Sequence, residues 1–223
     1  MSYSFDWQVI IDALPQLITG IKLTLLISII SSCFALLIGV IAALLRLSNN
    51  RFLKIVATGY VEFFRNTPLL VQIYIYYRGL PNIGIDLDPV VCGILGLSIY
   101  TGAYITEVVR SGIQAIAKEQ FEASKSLGLS SFDTMYLIIF PQAIRIILPP
   151  LGNQFINLTK NSSLVSFITV TDIFYNVYKG SVDDFRFLEF FIIGCLLYMC
   201  LVGFIALFVN MFENYLKIPG RAS

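Results

Sequence analysis

Most of the residues able to do chemistry in this 223-residue chain interrupt apolar sequence. Lys160 is the one charge between Ile146 and Val170, with Asn153, Asn157 and Asn161 beside it and Ser162 and Ser163 following. Asn153, Asn157, Lys160, Asn161 and Leu164 fall at i, i+4, i+7, i+8 and i+11, which is one face of a helix. An ammonium among amides and hydroxyls can neutralise a carboxylate while its neighbours hydrogen-bond an amine or a polar side chain. The competing reading is a structural ion pair, with Glu62, Glu107 or another subunit holding the lysine. Glu62 with Arg65, and Glu107 with Arg110, stand three apart, so each pair can meet on one helical face. Each pair reads either as a gating element or as mutual neutralisation. Chemistry of other kinds has little to work with. The chain has no histidine, and Cys33, Cys92, Cys195 and Cys200 show no metal-ligand spacing, so catalytic residues and a metal site are not expected. Those cysteines read as small packing residues in apolar runs. No G-x-x-x-x-G-K-[ST] loop is present, so the chain lacks a phosphate cradle and no cofactor is expected on it.

The elements that position these residues belong in a bilayer. Hydrophobic residues make up 57% of the chain and charged ones 13%, with a mean hydropathy of +0.80. Leu23 to Leu45 and Phe190 to Phe212 are uncharged runs of 23 residues each, and Pro89 to Thr106 adds one of 18. At ~1.5 Å per residue, 20 residues cross the ~30 Å hydrocarbon layer. Two further runs carry the charges: Ile55 to Tyr77 holds Glu62 and Arg65, and Ile146 to Val170 holds Lys160. A charge at the centre of a helix costs ~2.5 kcal/mol or more on insertion scales, so these runs should face a partner helix or a cavity. The expectation is an all-α integral membrane protein with one transmembrane domain over residues 1–223. Its five spans lie at about 18–46, 52–79, 88–110, 143–168 and 188–213. Gly20, Thr24, Ser28 and Ser32, extended by Ala35, Gly39 and Ala43, predict a close-packing face on the first span. Pro68, Pro149 and Pro150 predict broken or hinged ends in the second and fourth.

Orientation follows from the basic residues. Arg46, Arg51, Lys54, Arg110, Lys118, Lys125, Arg145, Lys217 and Arg221 fall on one side of a five-span layout; Lys22, Arg78, Lys179 and Arg186 fall on the other. The richer side should be cytoplasmic, which puts the N-terminus outside and the C-terminus inside. The first 20 residues lack Lys and Arg, so no cleavable signal is expected. The connection at about 111–142 then lies inside, and it is too structured for a plain linker. Lys118 to Leu127 is built of good helix formers, Gly128 is placed to cap that helix, and Ser130 or Ser131 with Asp133 can start another. Phe121, flanked by Ala117 and Ala123, is predicted to offer a compact apolar surface for a groove on a partner.

Particular motifs narrow the class. Glu122-Ala123-Ser124, then Gly128, then Ile138-Ile139-Phe140-Pro141 resembles the E-A-A coupling loop of ABC-importer permeases. Tyr60-Val61-Glu62-Phe63-Phe64-Arg65-Asn66-Thr67-Pro68-Leu69-Leu70-Val71-Gln72 is similar to the Y-V-E-x-x-R-x-T-P-L-L-V-Q signature of polar amino-acid permeases of the histidine, glutamine and arginine type. Gly79-Leu80-Pro81, Leu148-Pro149-Pro150-Leu151 and Leu158-Thr159-Lys160-Asn161-Ser162-Ser163-Leu164 extend the match over nearly the whole chain. Ser124 departs from Ala, Phe140 from Leu, Asn66 from a frequent Gly and Asn161 from a frequent Asp. The last departure weakens a strictly cationic substrate.

The resemblance implies a type I importer in a bacterial cytoplasmic (inner) membrane, carrying a small polar amino acid. Its partners would be two copies of an ABC ATPase that binds ATP and Mg, a second permease subunit (identical or homologous) and an extracytoplasmic binding protein. No nucleic acid is expected. Phe121, Glu122, Ala123, Ser124 and Gly128 would couple to the ATPase, and Asn153, Asn157, Lys160, Asn161, Ser162 and Ser163 would meet the substrate. Two other classes are weighed beside it. An ion-gradient transporter or channel using Glu62, Glu107 and Lys160 leaves the loop unexplained. An intramembrane enzyme lacks the histidines and paired acids it would need.

Overall fold

Helix α1 (Gln8–Leu47) is the backbone against which the others are laid. At ~1.5 Å per residue its 40 residues reach ~60 Å, about twice the hydrocarbon thickness, so it extends well beyond the expected 18–46 span. The computed structural model describes the backbone of residues 4–216 and the side chains of residues 4–211. Lys217 and Arg221, used in the charge count, lie outside the described residues. α1 packs most extensively on α4 (Pro89–Gln114). Thr24, Ser28, Ser31, Ala35 and Gly39 are buried along the seam, whereas Ser32 is only half-buried. Strict four-residue steps drift ~40° per step around a 3.6-residue helix, so the buried line takes a three-residue step at Ser31 to stay on its neighbour. The close approach explains Gly39: a Cβ there would lie 2.5 Å from Ile105 Cγ2.

The second expected span is two helices. α2 (Arg51–Asn66) ends at Thr67, whose extended backbone (φ −112°, ψ 143°) is what a following proline imposes, and α3 (Leu69–Tyr74) restarts after Pro68. Gln72, almost fully buried, holds the break together: its Nε2 donates to Phe64 O at 3.0 Å, Thr67 O at 3.2 Å and Thr67 Oγ1 at 2.8 Å. Open carbonyls at α2's end are thereby satisfied. α3 widens into a π-turn (Ile75–Gly79) and then tightens into a 3₁₀ turn (Leu80–Ile83). Asp88 then caps α4, accepting from Val90 N at 2.8 Å.

Beyond α4 come α5 (Lys118–Ser126), the short α6 (Ser131–Asp133), a π-turn (Thr134–Ile139) and α7 (Phe140–Asn161), which continues as a 3₁₀ segment (Ser162–Ile168). Contrary to the expectation from Pro149 and Pro150, α7 runs through both prolines without a break. Its neighbours α4 and α9 hold it in register there. The sequence predicts no span between about 168 and 188, yet α8 (Ile173–Asp183) forms there. Asp172 is its N-cap, with Tyr175 N donating to Asp172 Oδ1 at 2.8 Å. α9 (Phe187–Leu216) closes the bundle against α7 and α8. α1, α4, the run Ser131–Ile168 and Phe187–Met211 are each long and apolar enough to cross a membrane; among the described residues the expected second span, split into α2 and α3, is not one of them.

Candidate functional site

Three groups of side chains stand out, and the first is the connection between α4 and α7. α5 ends in a complete Schellman motif: Gly128 N donates to Lys125 O at 2.9 Å and Leu129 N to Ser124 O at 3.1 Å, with Gly128 at φ +76°. Ser130 accepts from Asp133 N at 3.1 Å and donates to Asp133 Oδ2 at 2.6 Å, starting the next helix. Ser124 is buried, its hydroxyl satisfied by Gln120 O at 2.6 Å, so the serine that departs from the motif faces inward at no cost in unpaired polarity. Phe121 also differs from expectation. It packs against the core formed by Ile105, Val109, Ile139 and their neighbours rather than offering itself outward. The outward surface is instead Glu122, Ala123, Lys125 and Gly128, with Leu127 (79% exposed) and Phe132 (75% exposed) beside them. Phe132 stacks on Tyr136, ring centroids 6.0 Å apart. This exposed aromatic pair escaped the sequence reading because the helical period changes at the π-turn.

α7 carries the second group. Asn153, Asn157 and Lys160 are exposed along one face, and Asn161 and Ser163 are half-buried beside it. Ser162 is fully buried, its hydroxyl donating to Thr159 O at 2.7 Å, so it does not share that face. Ser163 donates to Lys160 O at 2.9 Å. Among the described residues, none of the ion pairs includes Lys160, so neither Glu62 nor Glu107 holds it.

The charges near the loop end of α1, α2 and α4 form the third group. Glu107 and Arg110 pair as their spacing predicts, Arg110 Nη2 lying 2.6 Å and Nε 3.1 Å from Glu107 Oε2. The other carboxylate oxygen takes Arg46 from α1, a partner the spacing rule could not find because it is 61 residues away in sequence. Gln114 Oε1 extends the network from Arg110 Nη1 at 2.5 Å. Glu62 and Arg65 do not pair with each other. Glu62 accepts from Asn66 Nδ2 at 3.2 Å, while the Arg65 guanidinium lies 5.0 Å from the centroid of the Tyr104 ring. Among the described residues no cluster of His, Cys, Asp and Glu is suited to a metal.

The model of the family described as binding-protein-dependent transport system inner membrane component matches residues 35–217, and the chain belongs to that family, as the membrane-spanning subunit of an ABC importer. The probable glutamine ABC transporter permease protein GlnM of Bacillus subtilis is 38% identical over 209 residues, covering 94% of this chain and 97% of the relative. The probable amino-acid ABC transporter permease protein YckA of the same organism is 39% identical over 212 residues, covering 95% and 94%. A crystal structure of an amino acid ABC transporter with histidines superposes with a TM-score of 0.90 at 33% identity, covering 96% of this chain and 100% of that one.

Proposed function

We propose that the chain carries a small polar amino acid inward across the cytoplasmic membrane, driven by a separate ATPase that grips the connection between α4 and α7. The observation that carries this reading is the build of that connection. Phe121 and Ser124 seat α5 on the bundle, the Gly128 motif fixes its end, and Leu127, Phe132 and Tyr136 stand exposed, uncovered by any of the described residues. An exposed aromatic patch on a rigid element is suited to a pocket on a partner. A force applied there passes through Phe121 into the core between α4 and α7. Two copies of the ATPase, holding ATP and Mg, and two permease subunits would make the working unit. A binding protein would deliver solute at the opposite end, with the N-terminus outside and the C-terminus in the cytoplasm, as the basic residues favour. Nucleotide closure of the ATPases can drive the permease only through different affinity for its two conformations.

The substrate would lie against Asn153, Asn157, Lys160, Asn161 and Ser163, its carboxylate on Lys160 and its polar atoms on the amides. Lys160 is ~22 Å of helix beyond Arg145, within the ~30 Å hydrocarbon layer. An ammonium exposed at that depth, with no carboxylate partner among the described residues, favours an anionic group as visitor. Relatives named for glutamine and for amino acids support that solute class. Glu107 with Arg46 and Arg110 would carry loop motion into α1 and α4. Phe132→Asp with Leu127→Asp tests the coupling: the ATPase should no longer co-purify with the permease, while the bundle still folds. Retained ATPase binding would overturn it.

A further inference from the structure

α9 crosses the bundle almost without polarity. Between Glu189 and Asn210 its one side chain with an oxygen or nitrogen is Tyr198, and that hydroxyl turns inward, donating to Asp172 Oδ2 at 3.2 Å. Asp172 is fully buried. Its other carboxylate oxygen caps α8 through Tyr175 N at 2.8 Å, and its backbone carbonyl accepts from Asn176 Nδ2 at 2.8 Å. The neighbouring Ile173 N donates to Thr24 Oγ1 on α1 at 3.1 Å. Gly20 lets the two backbones close there, since a Cβ on it would lie 2.8 Å from the Asp172 carbonyl oxygen. From the end of α7 the buried Ser162 hydroxyl also reaches that of Tyr198. Ser162, Tyr198, Asp172 and Thr24 thus link α7, α9, α8 and α1.

The segment held by this network is strained. After Asn161 three serine hydroxyls bond back three residues: Ser162 to Thr159 O at 2.7 Å, Ser163 to Lys160 O at 2.9 Å and Ser166 to Ser163 O at 2.7 Å. Such local bonds compete with the α-helical ladder, and α7 tightens there into its 3₁₀ segment. The turn beyond puts Thr169 at φ +68°, a left-handed backbone that a β-branched residue rarely adopts. A conformation of that kind persists only where its surroundings over-determine it, and such residues cluster at ligand clamps and switches. The over-determination here comes from Asp172, three residues on, which is fixed from α8 and α9. Lys160 and Asn161 stand immediately before the strained segment, so its pitch decides the direction in which ammonium and amide are presented.

We propose that Tyr198 is a positioning residue for the solute: anchored on Asp172, its hydroxyl holds the turn that follows Asn161 and so fixes how Lys160 and Asn161 face the solute. The proposal rests on the reading of the α7 face as the place where solute lies, and adds what aims that face. Tyr198 acts through α7 and is not itself a solute contact.

A double-mutant cycle tests it, with the full chain, its ATPase and its binding protein in proteoliposomes and import measured at limiting solute. Tyr198→Phe removes the hydroxyl and keeps the ring, and should lower import about fivefold, the worth of one hydrogen bond. In the Lys160→Ala background the same change should cost nothing further, because an aim already lost is not lost twice. Ser162→Ala breaks the network at its other end and should match Tyr198→Phe in both backgrounds. It also decides the question where Tyr198→Phe does not accumulate. Asp172→Asn, which can still cap α8 and pair with the Tyr198 hydroxyl, should import like the unaltered chain. A role in folding alone would lower yield and melting point, and its losses would multiply with those of Lys160→Ala. Multiplying losses, full import by both Tyr198→Phe and Ser162→Ala, or Asp172→Asn failing as they do would overturn the proposal and leave the solute face standing. Full import by Lys160→Ala would instead remove the solute face, and the proposal with it.

Discussion

Gln72 and Asp172 are buried polar residues, one at the break between α2 and α3 and the other at the start of α8. Gln72 completes the break at Thr67–Pro68, and replacing it leaves the carbonyls of Phe64 and Thr67 without their donor. Gln72→Leu should therefore cost about 1–3 kcal/mol, read as a lower unfolding midpoint in detergent. Asp172 sits at the entry to α8, fully buried, with Tyr198 Oη donating to its Oδ2 at 3.2 Å and Ile173 N donating to Thr24 Oγ1 at 3.1 Å beside it. Burial pushes its carboxyl up to about 6, with the Tyr175 and Phe174 N–H groups and Tyr198 opposing that shift. A carboxyl raised above its unfolded value stabilises fully below about pH 4 and loses that contribution as pH climbs through about 6. Thermal unfolding followed from pH 4.5 to 8 should show a decline on the order of 2 kcal/mol, and Asp172→Asn should flatten it. Neither role was read from the sequence. Gln72 appeared only as the last letter of a signature. Asp172 preceded an apolar run that was too short to stand out, although an aspartate before such a run is an N-cap signal.

At the scale of elements, what could be read followed from period and charge, and what could not followed from contacts distant in sequence. Uncharged runs marked α1, α4 and α9, and proline marked the break between α2 and α3, because both effects are local. Pro149 and Pro150 gave the wrong expectation for α7, since packing on α4 and α9 outweighs two missing backbone donors. Phe121 was placed outward for a related reason: the helical wheel of α5 does not say which side meets the bundle. The Gly39 contact with Ile105 gives a prediction for the α1–α4 seam, where Gly39→Val should destabilise by at least ~1–3 kcal/mol. A loss of detergent-stable protein on size exclusion would register it. Gly128→Ala forces an alanine to φ +76°, at a cost of about 1 kcal/mol. That should fray the end of α5 and raise ATP hydrolysed per solute moved, measured as a coupling ratio, while the bundle's own melting point stays put.

The whole molecule is a bundle whose polar face on α7 and exposed patch at the loop are tied together by the core between α4 and α7. The polar face was legible as a face, because Asn153, Asn157 and Lys160 keep helical spacing, whereas Ser162, expected at the substrate, is turned inward by the 3₁₀ segment. Lys160→Ala should weaken solute capture, seen as import lowered about tenfold or more at limiting solute with assembly intact. The central claim is that solute moves only when another protein's nucleotide cycle pulls on the segment around Gly128. Uptake of labelled amino acid into proteoliposomes holding the permease, binding protein and ATPase tests it most directly. Uptake should require all three together with ATP, and vesicles with the permease alone should stay empty under any ion gradient. Uptake by the permease alone, driven by a proton or sodium gradient, would contradict it.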